Sequence, residues 1–282
     1  MPIAFDFSDR VTLITGAARG VGRAMVRQFV DAGSFVLAAD RDQAGLAETV
    51  AELDAARVAT SIGDISTPDG AAGIVNAAVA RFGRLDVCVN NAAVAPHATL
   101  LEERVEVWDL VHGVNVRGTF LMTQAAARAM IAGGRPGRII NFSSGASKRG
   151  SAGAPAYASS RAATEAFSRV AAIELAQYNI LVTCVSPGLI DTQPKPLPPR
   201  MAEALGRRVP ALPMARAGEP EEVGQVVMFL ASEAASYMTG TIVEVDGGAG
   251  IGSRFEGATV VDDDSRYDWV TGRIANPGVS PS

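Results

Sequence analysis

Residues 11–22 read VTLITGAARGVG, an apolar run of strand length that breaks into Gly16, Gly20 and Gly22. An amphipathic stretch through Met25 and Phe29 follows. Five apolar and β-branched residues suit a buried strand, and the periodicity beyond the glycines predicts a helix. Strand, glycine turn and helix in that order form a cradle for a pyrophosphate: the backbone approaches closely, and the free N–H groups and dipole of the helix N-terminus favour an anion. The spacing alone is weak evidence, since 29 glycines produce chance matches. The context adds the weight. Asp40 stands at the end of the next apolar run, about 20 residues on, where a carboxylate accepts hydrogen bonds from an adenosine ribose. Gly16, Arg19, Gly20, Val21, Gly22 and Asp40 are the cofactor-binding candidates here. A carboxylate at 40 repels a 2'-phosphate and favours NAD over NADP, while Arg19 and Arg41 nearby would attract one.

The same alternation continues to about residue 246. Strands are expected at 11–15, 35–39, 57–60, 85–89, 137–142, 180–185 and 241–245, with amphipathic stretches between them. Repeated βαβ units predict one doubly wound α/β domain, a parallel sheet covered by helices on both faces. Two segments depart from the pattern. Residues 190–216 are proline-rich and long for a βα connection, so a mobile lid is expected beside the C-terminal strand ends, where open α/β sheets bind ligands. Residues 249–282 form a tail rich in Gly, Asp and Pro, either disordered or packed through Tyr267 and Trp269.

Composition narrows the function. With 282 residues, 48% hydrophobic, 20% charged and a net charge of -5, the chain lacks the clustered basic charge that phosphate neutralisation demands, so nucleic acid is excluded as a partner. MPIAFDFSDR has no apolar run of signal-peptide length, and no stretch approaches the ~20 apolar residues that span a bilayer. A cytoplasmic protein is expected. Cys88 and Cys184 lie in short apolar runs and read as buried thiols, not as a disulfide or metal pair. Of 25 basic residues only Lys148 and Lys195 are lysines.

With TGAARGVG at the first turn, NNAA at 90–93, Asn115, Ser144, Tyr157 and SPGLIDT at 186–192, the chain resembles the short-chain dehydrogenases/reductases from about residue 6 to 248. The resemblance implies a Rossmann-type seven-stranded sheet of order 3-2-1-4-5-6-7 in a single domain over residues 1–248. It further implies hydride transfer between NAD and a secondary alcohol or ketone. Tyr157 would be the general acid or base, Ser144 would hydrogen-bond the same substrate oxygen, and Asn115 would hold a water or backbone group in a proton relay. Asn90 and Ala92 would line the cofactor, with Asn91 tying strands together. Asp64 and Ile65 would flank the adenine. Pro187, Gly188, Ile190 and Thr192 would meet the nicotinamide end. The family commonly forms dimers or tetramers, so a homodimer or homotetramer is expected.

The pattern breaks at one position: where the family's motif has lysine four residues after the tyrosine, this chain has Arg161. Positions i and i+4 share a helix face, so Arg161 reaches under the same cofactor. Lysine there binds the nicotinamide ribose and lowers the tyrosine pKa; arginine keeps the charge and the donors but does not readily release a proton. Arg161 therefore joins both the catalytic and the cofactor-binding candidates. Two readings stay open: an enzyme that tolerates or uses the arginine, and a dinucleotide-binding protein with little turnover. An isomerase or dehydratase on the same scaffold is a third. On the substrate side the candidates are Ser144, Ala146, Lys148, Arg149 and His97, beside Ala154, Pro155 and the lid.

Overall fold

The computed structural model describes residues 5–192 and 199–253, together with the backbone of 267–268 and 273–274. Seven parallel strands form one sheet: β1 (Val11–Thr15), β2 (Phe35–Asp40), β3 (Val58–Ile62), β4 (Val87–Asn90), β5 (Gly137–Phe142), β6 (Ile180–Pro187) and β7 (Ile242–Val245). Their order is β3-β2-β1-β4-β5-β6-β7. The expected seven-stranded doubly wound sheet is therefore present. The order in which strands are added reverses between β1 and β4, the switch point where such sheets bind ligands.

Each face of the sheet buries its own apolar cluster. On one side Ile14, Val36 and Val89 pack with Met25 and Phe29 of α1 (Gly20–Asp31) and with Val223 and Val227 of α8 (Pro220–Ala231). On the other, Leu13, Leu37 and Ile139 pack with Ile74 of α3 (Pro68–Phe82) and with Met122 and Met130 of α5 (Thr119–Ala132). Alternate residues of β1 thus enter opposite cores, which is why VTLIT is apolar or small throughout and buried at all five positions. Each large side chain so buried contributes about 1.5–3 kcal/mol.

Strand edges depart slightly from expectation. The third strand starts at Val58 because Arg57 is drawn into a turn, its backbone N–H donating to Asp54 and its guanidinium to the Gly33 carbonyl. The fourth starts at Val87; just before it, the Asp86 carboxylate accepts the Val11 N–H at 2.8 Å and ties β1 to the chain entering β4.

The stretch expected to be irregular at 190–216 contains a helix, α7 (Pro199–Arg208). Proline is compatible with a first helical turn, and the residues that follow, RMAEALGRR, are mostly good helix formers. Residues 193–198 lie outside the described residues, so the expected lid is described only in part. In the tail, Tyr267–Asp268 pairs antiparallel with Arg273–Ile274, while Trp269 lies outside the described residues. No helix among the described residues is long and apolar enough to cross a membrane.

Candidate active site

A cleft of about 570 Å³ opens at the C-terminal ends of β1, β2 and β4. Its lining brings together Gly16, Arg19, Gly20, Val21, Asp40, Asp64, Ile65, Ala92 and Thr192, all expected from sequence, with Arg41, Asn91 and Val94 among others. The glycine turn fits a ligand backbone-first. Gly16 has φ +68°, and a Cβ there would stand 2.7 Å from the Asn91 amide. A Cβ on Gly22 would run into the Gly16 carbonyl, so the helix seats directly on the turn. Arg19, the N-cap of α1, supplies no side-chain cap, so the N–H groups of the first turn, whose residues Gly20 and Val21 line the cleft, have no side-chain partner there. That is the donor set an anionic pyrophosphate requires.

At the β2 end of the cleft Asp40 is fixed by three backbone donors: Ala18 N–H reaches Oδ2 at 3.0 Å, and Arg41 and Asp42 N–H reach Oδ1 at 2.7 and 3.1 Å. The Arg41 guanidinium lies 3.6 Å from the Asp64 carboxylate. Burial pushes Asp64 up, but hydrogen bonds from Ser66 and the charges of Arg41 and Arg117 outweigh it and hold its carboxyl below the usual range.

The two asparagines of NNAA divide their work. The Asn90 side chain does not reach the cleft. It is buried, donating to Thr123 Oγ1 at 3.1 Å and Asn141 Oδ1 at 2.8 Å. Asn91 does reach it, with Nδ2 bonding the carbonyls of Thr15 and Gly16 and so locking the glycine turn against the end of β4.

Asn115 sits in a single π-turn, Gly113–Gly118, between α4 (Val105–His112) and α5. Such turns are rare and occur frequently at functional sites. Its Oδ1 accepts Val94 N–H at 2.9 Å, and its Nδ2 donates to the Val94 carbonyl at 3.0 Å and to Ser160 Oγ at 3.1 Å. Ser160 in turn donates to the Tyr157 carbonyl at 2.7 Å. Asn115 therefore joins the cleft wall to the helix that carries Tyr157.

That helix, α6 (Pro155–Leu175), presents Tyr157 in its first turn. Ala154, its N-cap, offers no side chain to the free amides; the Glu103 carboxylate, from the loop after β4, accepts Ala156 N–H at 3.2 Å instead. A carboxylate from another segment capping a helix is invisible to a local reading of sequence. Arg161 is buried one turn on, its guanidinium carbon 4.9 Å from the Tyr157 ring centroid. Its Nη1 donates to the Phe142 carbonyl at 2.7 Å, and its Nε is buried with no partner among the described residues. Burial raises the phenol pKa, yet the Arg161 charge and the hydrogen bonds of Ser144 and Arg161 prevail, and Tyr157 is more acidic than an ordinary tyrosine. Ser144 leads into a short 3-10 turn, Gly145–Ser147, its Oγ accepting Ala146 N–H at 3.3 Å.

The remaining candidates fall around this centre. Lys148 is engaged by Glu244 of β7, whose hydrogen bond holds the ammonium pKa up. Arg149 and His97 are exposed, and the His97 loop meets the approach to α6 where Ala98 N–H donates to the Gly153 carbonyl at 3.1 Å. Pro187 pairs with Val245, and Gly188 N–H bonds the Val245 carbonyl, fixing the end of β6 against β7. Ile190 turns from the main cleft into a smaller one of about 270 Å³ with Met214, Arg216 and Glu222.

Comparison with known proteins accords with this geometry. The family profile described as "Enoyl-(Acyl carrier protein) reductase" matches residues 16–250. The chain is 38% identical over 242 residues to the 3-oxoacyl-[acyl-carrier-protein] reductase FabG of Thermotoga maritima, covering 85% of this chain and 97% of that one. It is 38% identical over 249 residues to the (3R)-3-hydroxyacyl-CoA dehydrogenase of Mus musculus, covering 84% and 95%. A short-chain type dehydrogenase/reductase from Mycobacterium marinum superposes with a TM-score of 0.81 at 33% identity, over 87% of this chain and 97% of the other. The chain belongs to the short-chain dehydrogenase/reductase family.

Proposed function

We propose that this protein is an NAD-dependent oxidoreductase that passes hydride between nicotinamide and a secondary alcohol or ketone, with Tyr157 as the general acid/base. The observation that carries the reading is the buried Arg161 guanidinium over the Tyr157 ring, beside a phenol made acidic by it. Bound NAD supplies the hydride acceptor. The chain supplies the rest. The Tyr157 phenolate takes the proton from the substrate oxygen, Ser144 hydrogen-bonds that oxygen, and the Arg161 charge stabilises the phenolate. Asn115 holds the cleft wall in register with the Tyr157 helix. Asp40 at the ribose end of the cleft supports NAD over NADP.

Two relatives are named for 3-oxoacyl-[acyl-carrier-protein] and (3R)-3-hydroxyacyl-CoA, so 3-oxoacyl and 3-hydroxyacyl compounds, with polyols and cyclic alcohols as general secondary alcohols, make up the panel of candidate substrates. The exposed Leu110, Phe120, Val170 and Ile173 on α4, α5 and α6 support self-association as a dimer or tetramer. The two buried free thiols fit a reducing cytoplasm.

The test is NADH formation from the alcohols of that panel at about pH 9, where a phenolate base is well populated, and NADH consumption with its 3-oxoacyl members, both followed by absorbance. Turnover abolished by Tyr157→Phe supports the reading. A second reading, a dinucleotide-binding protein with little catalysis, rests on the same Arg161, whose fork is anchored on Phe142 and passes no proton. Tight NAD binding without turnover by the wild type or Arg161→Lys decides for it.

A further inference from the structure

Glu165 is a carboxylate at 6% exposure, two turns beyond Tyr157 and one beyond Arg161 on the same face of α6. Burying a charge is costly unless it is hydrogen-bonded, so its partners reveal its purpose. Its Oε1 accepts hydrogen bonds from Ser143 Oγ at 2.8 Å and from Ser147 Oγ, while Oε2 lies 3.5 Å from the Arg169 guanidinium. Ser143 immediately precedes Ser144, and Ser147 closes the 3-10 turn that Ser144 opens. One carboxylate oxygen thus holds both ends of the five-residue segment whose second residue is Ser144.

We propose that Glu165 is a positioning residue for Ser144: by binding the hydroxyls of Ser143 and Ser147 together, it fixes the serine loop at the height of the Tyr157 phenol. The inference rests on the reading of Tyr157 and Ser144 as the proton-transfer pair. The loop has no comparable anchor in its own sequence, since Gly145 and Ala146 offer no polar side chain and Lys148 is turned to Glu244. The bonds run to a helix packed over β6, a rigid support. Two charge-assisted bonds to one oxygen constrain translation as well as tilt. The other ionisable groups around the clamp are Arg161 and Arg169 on α6, Lys148 in the loop, Glu244 on β7 and Cys184 on β6.

The experiment uses the full-length protein with Glu165→Ala, Glu165→Gln, the double variant Ser143→Ala/Ser147→Ala, and the triple combination of that pair with Glu165→Ala. Three quantities are read: NAD affinity by fluorescence, kcat and KM on a substrate of the wild type, and the ultraviolet phenolate titration of Tyr157, isolated by subtracting the same variant carrying Tyr157→Phe. If Glu165 acts through the serines, Glu165→Ala and the serine pair each lower kcat by roughly 10- to 100-fold through misplacement of Ser144. NAD affinity and KM stay within about twofold of the wild type. The Tyr157 titration moves to higher pH, because the Ser144 hydrogen bond that favours the phenolate is lost. The triple variant is no worse than Glu165→Ala, since both changes break one device. Glu165→Gln, which keeps an acceptor oxygen, recovers much of the rate. Additive losses, or a Tyr157 titration that stays in place in both the Glu165→Ala and serine-pair proteins, overturn the proposal. If Glu165→Ala does not fold, the serine pair, which leaves the carboxylate in place, gives the same two answers. Should the wild type turn over nothing, the proposed function fails, and the phenolate titration still decides the clamp by whether it moves.

Discussion

The guanidinium carbon of Arg161 stands 4.9 Å from the centre of the Tyr157 ring while Nη1 of the same group is tied to the Phe142 carbonyl at 2.7 Å. The cation is thus anchored on β5 and presented to the phenol from a strand, not left to the flexibility of its own stem. A desolvated cation over an aromatic face is worth about 2 kcal/mol, enough to hold the side chain in that place.

The first prediction concerns sign as well as size. Oxidation needs the phenolate, and Arg161 helps lower the Tyr157 pKa, so in Arg161→Gln the rising limb of kcat against pH moves to higher pH. Tyr157→Phe, which has no proton to exchange, loses about 10²- to 10⁴-fold on the high-pH plateau and shows no rising limb from this group. A pH profile of the three proteins checks both.

Cofactor preference and stability are linked through Asp40. Asp40→Ser removes the charge that opposes a 2'-phosphate and leaves Arg19 and Arg41 at the cleft, so the kcat/KM ratio of NADP over NAD rises by about 10-fold or more. The same change strips an acceptor from the buried Ala18 amide, at a cost of about 1–3 kcal/mol, while the exposed amides of Arg41 and Asp42 turn to water. Kinetics with both dinucleotides and a thermal melt measure the two effects on one variant.

Glu103 caps the Tyr157 helix from a different segment, and losing a cap costs about 1 kcal/mol. Glu103→Ala is expected to lower Tm by a few degrees and kcat by several-fold, while Glu103→Gln, whose amide oxygen still accepts the Ala156 N–H, stays near the wild type. Differential scanning calorimetry with steady-state kinetics distinguishes them.

Cys88 and Cys184 are both fully enclosed, and burial pushes each thiol up to about 12. The thiolate is the reactive form. The native protein is expected to show no reaction with a chromogenic disulfide reagent at neutral pH, and both thiols to react once denaturant is added.

The sheet was legible because its signals are local and repeated: VTLIT, FVLAA and GRIINF each carry enough apolar residues to be read alone, and the parallel order follows from the helices between them. Most of the cleft was legible for the same reason, since a glycine turn and an acid at the end of β2 are matters of spacing, as is the helix face that Tyr157 and Arg161 share at i and i+4. The division of labour between Asn90 and Asn91 at the cleft was not. Two adjacent asparagines at a strand end point opposite ways, and only the partners Thr123, Asn141, Thr15 and Gly16 decide which one looks inward. Glu103 and Glu165 escaped notice because each acts on a segment 18 or more residues away. The helix at 199–208 was obscured by the prolines before it.

The π-turn at Gly113–Gly118 carries one residue more than a regular helix would need there. Deleting a single residue from it would let the chain run as one unbroken helix from α4 into α5, the flanks still in phase but the widened turn that seats Asn115 gone. The amide now gripping Val94 would then lose its place while the apolar stripe of α5 kept facing the sheet. The number of residues in this stretch is itself a specification of the site, so homologous chains that keep the chemistry should tolerate substitution in it far more readily than insertion or loss.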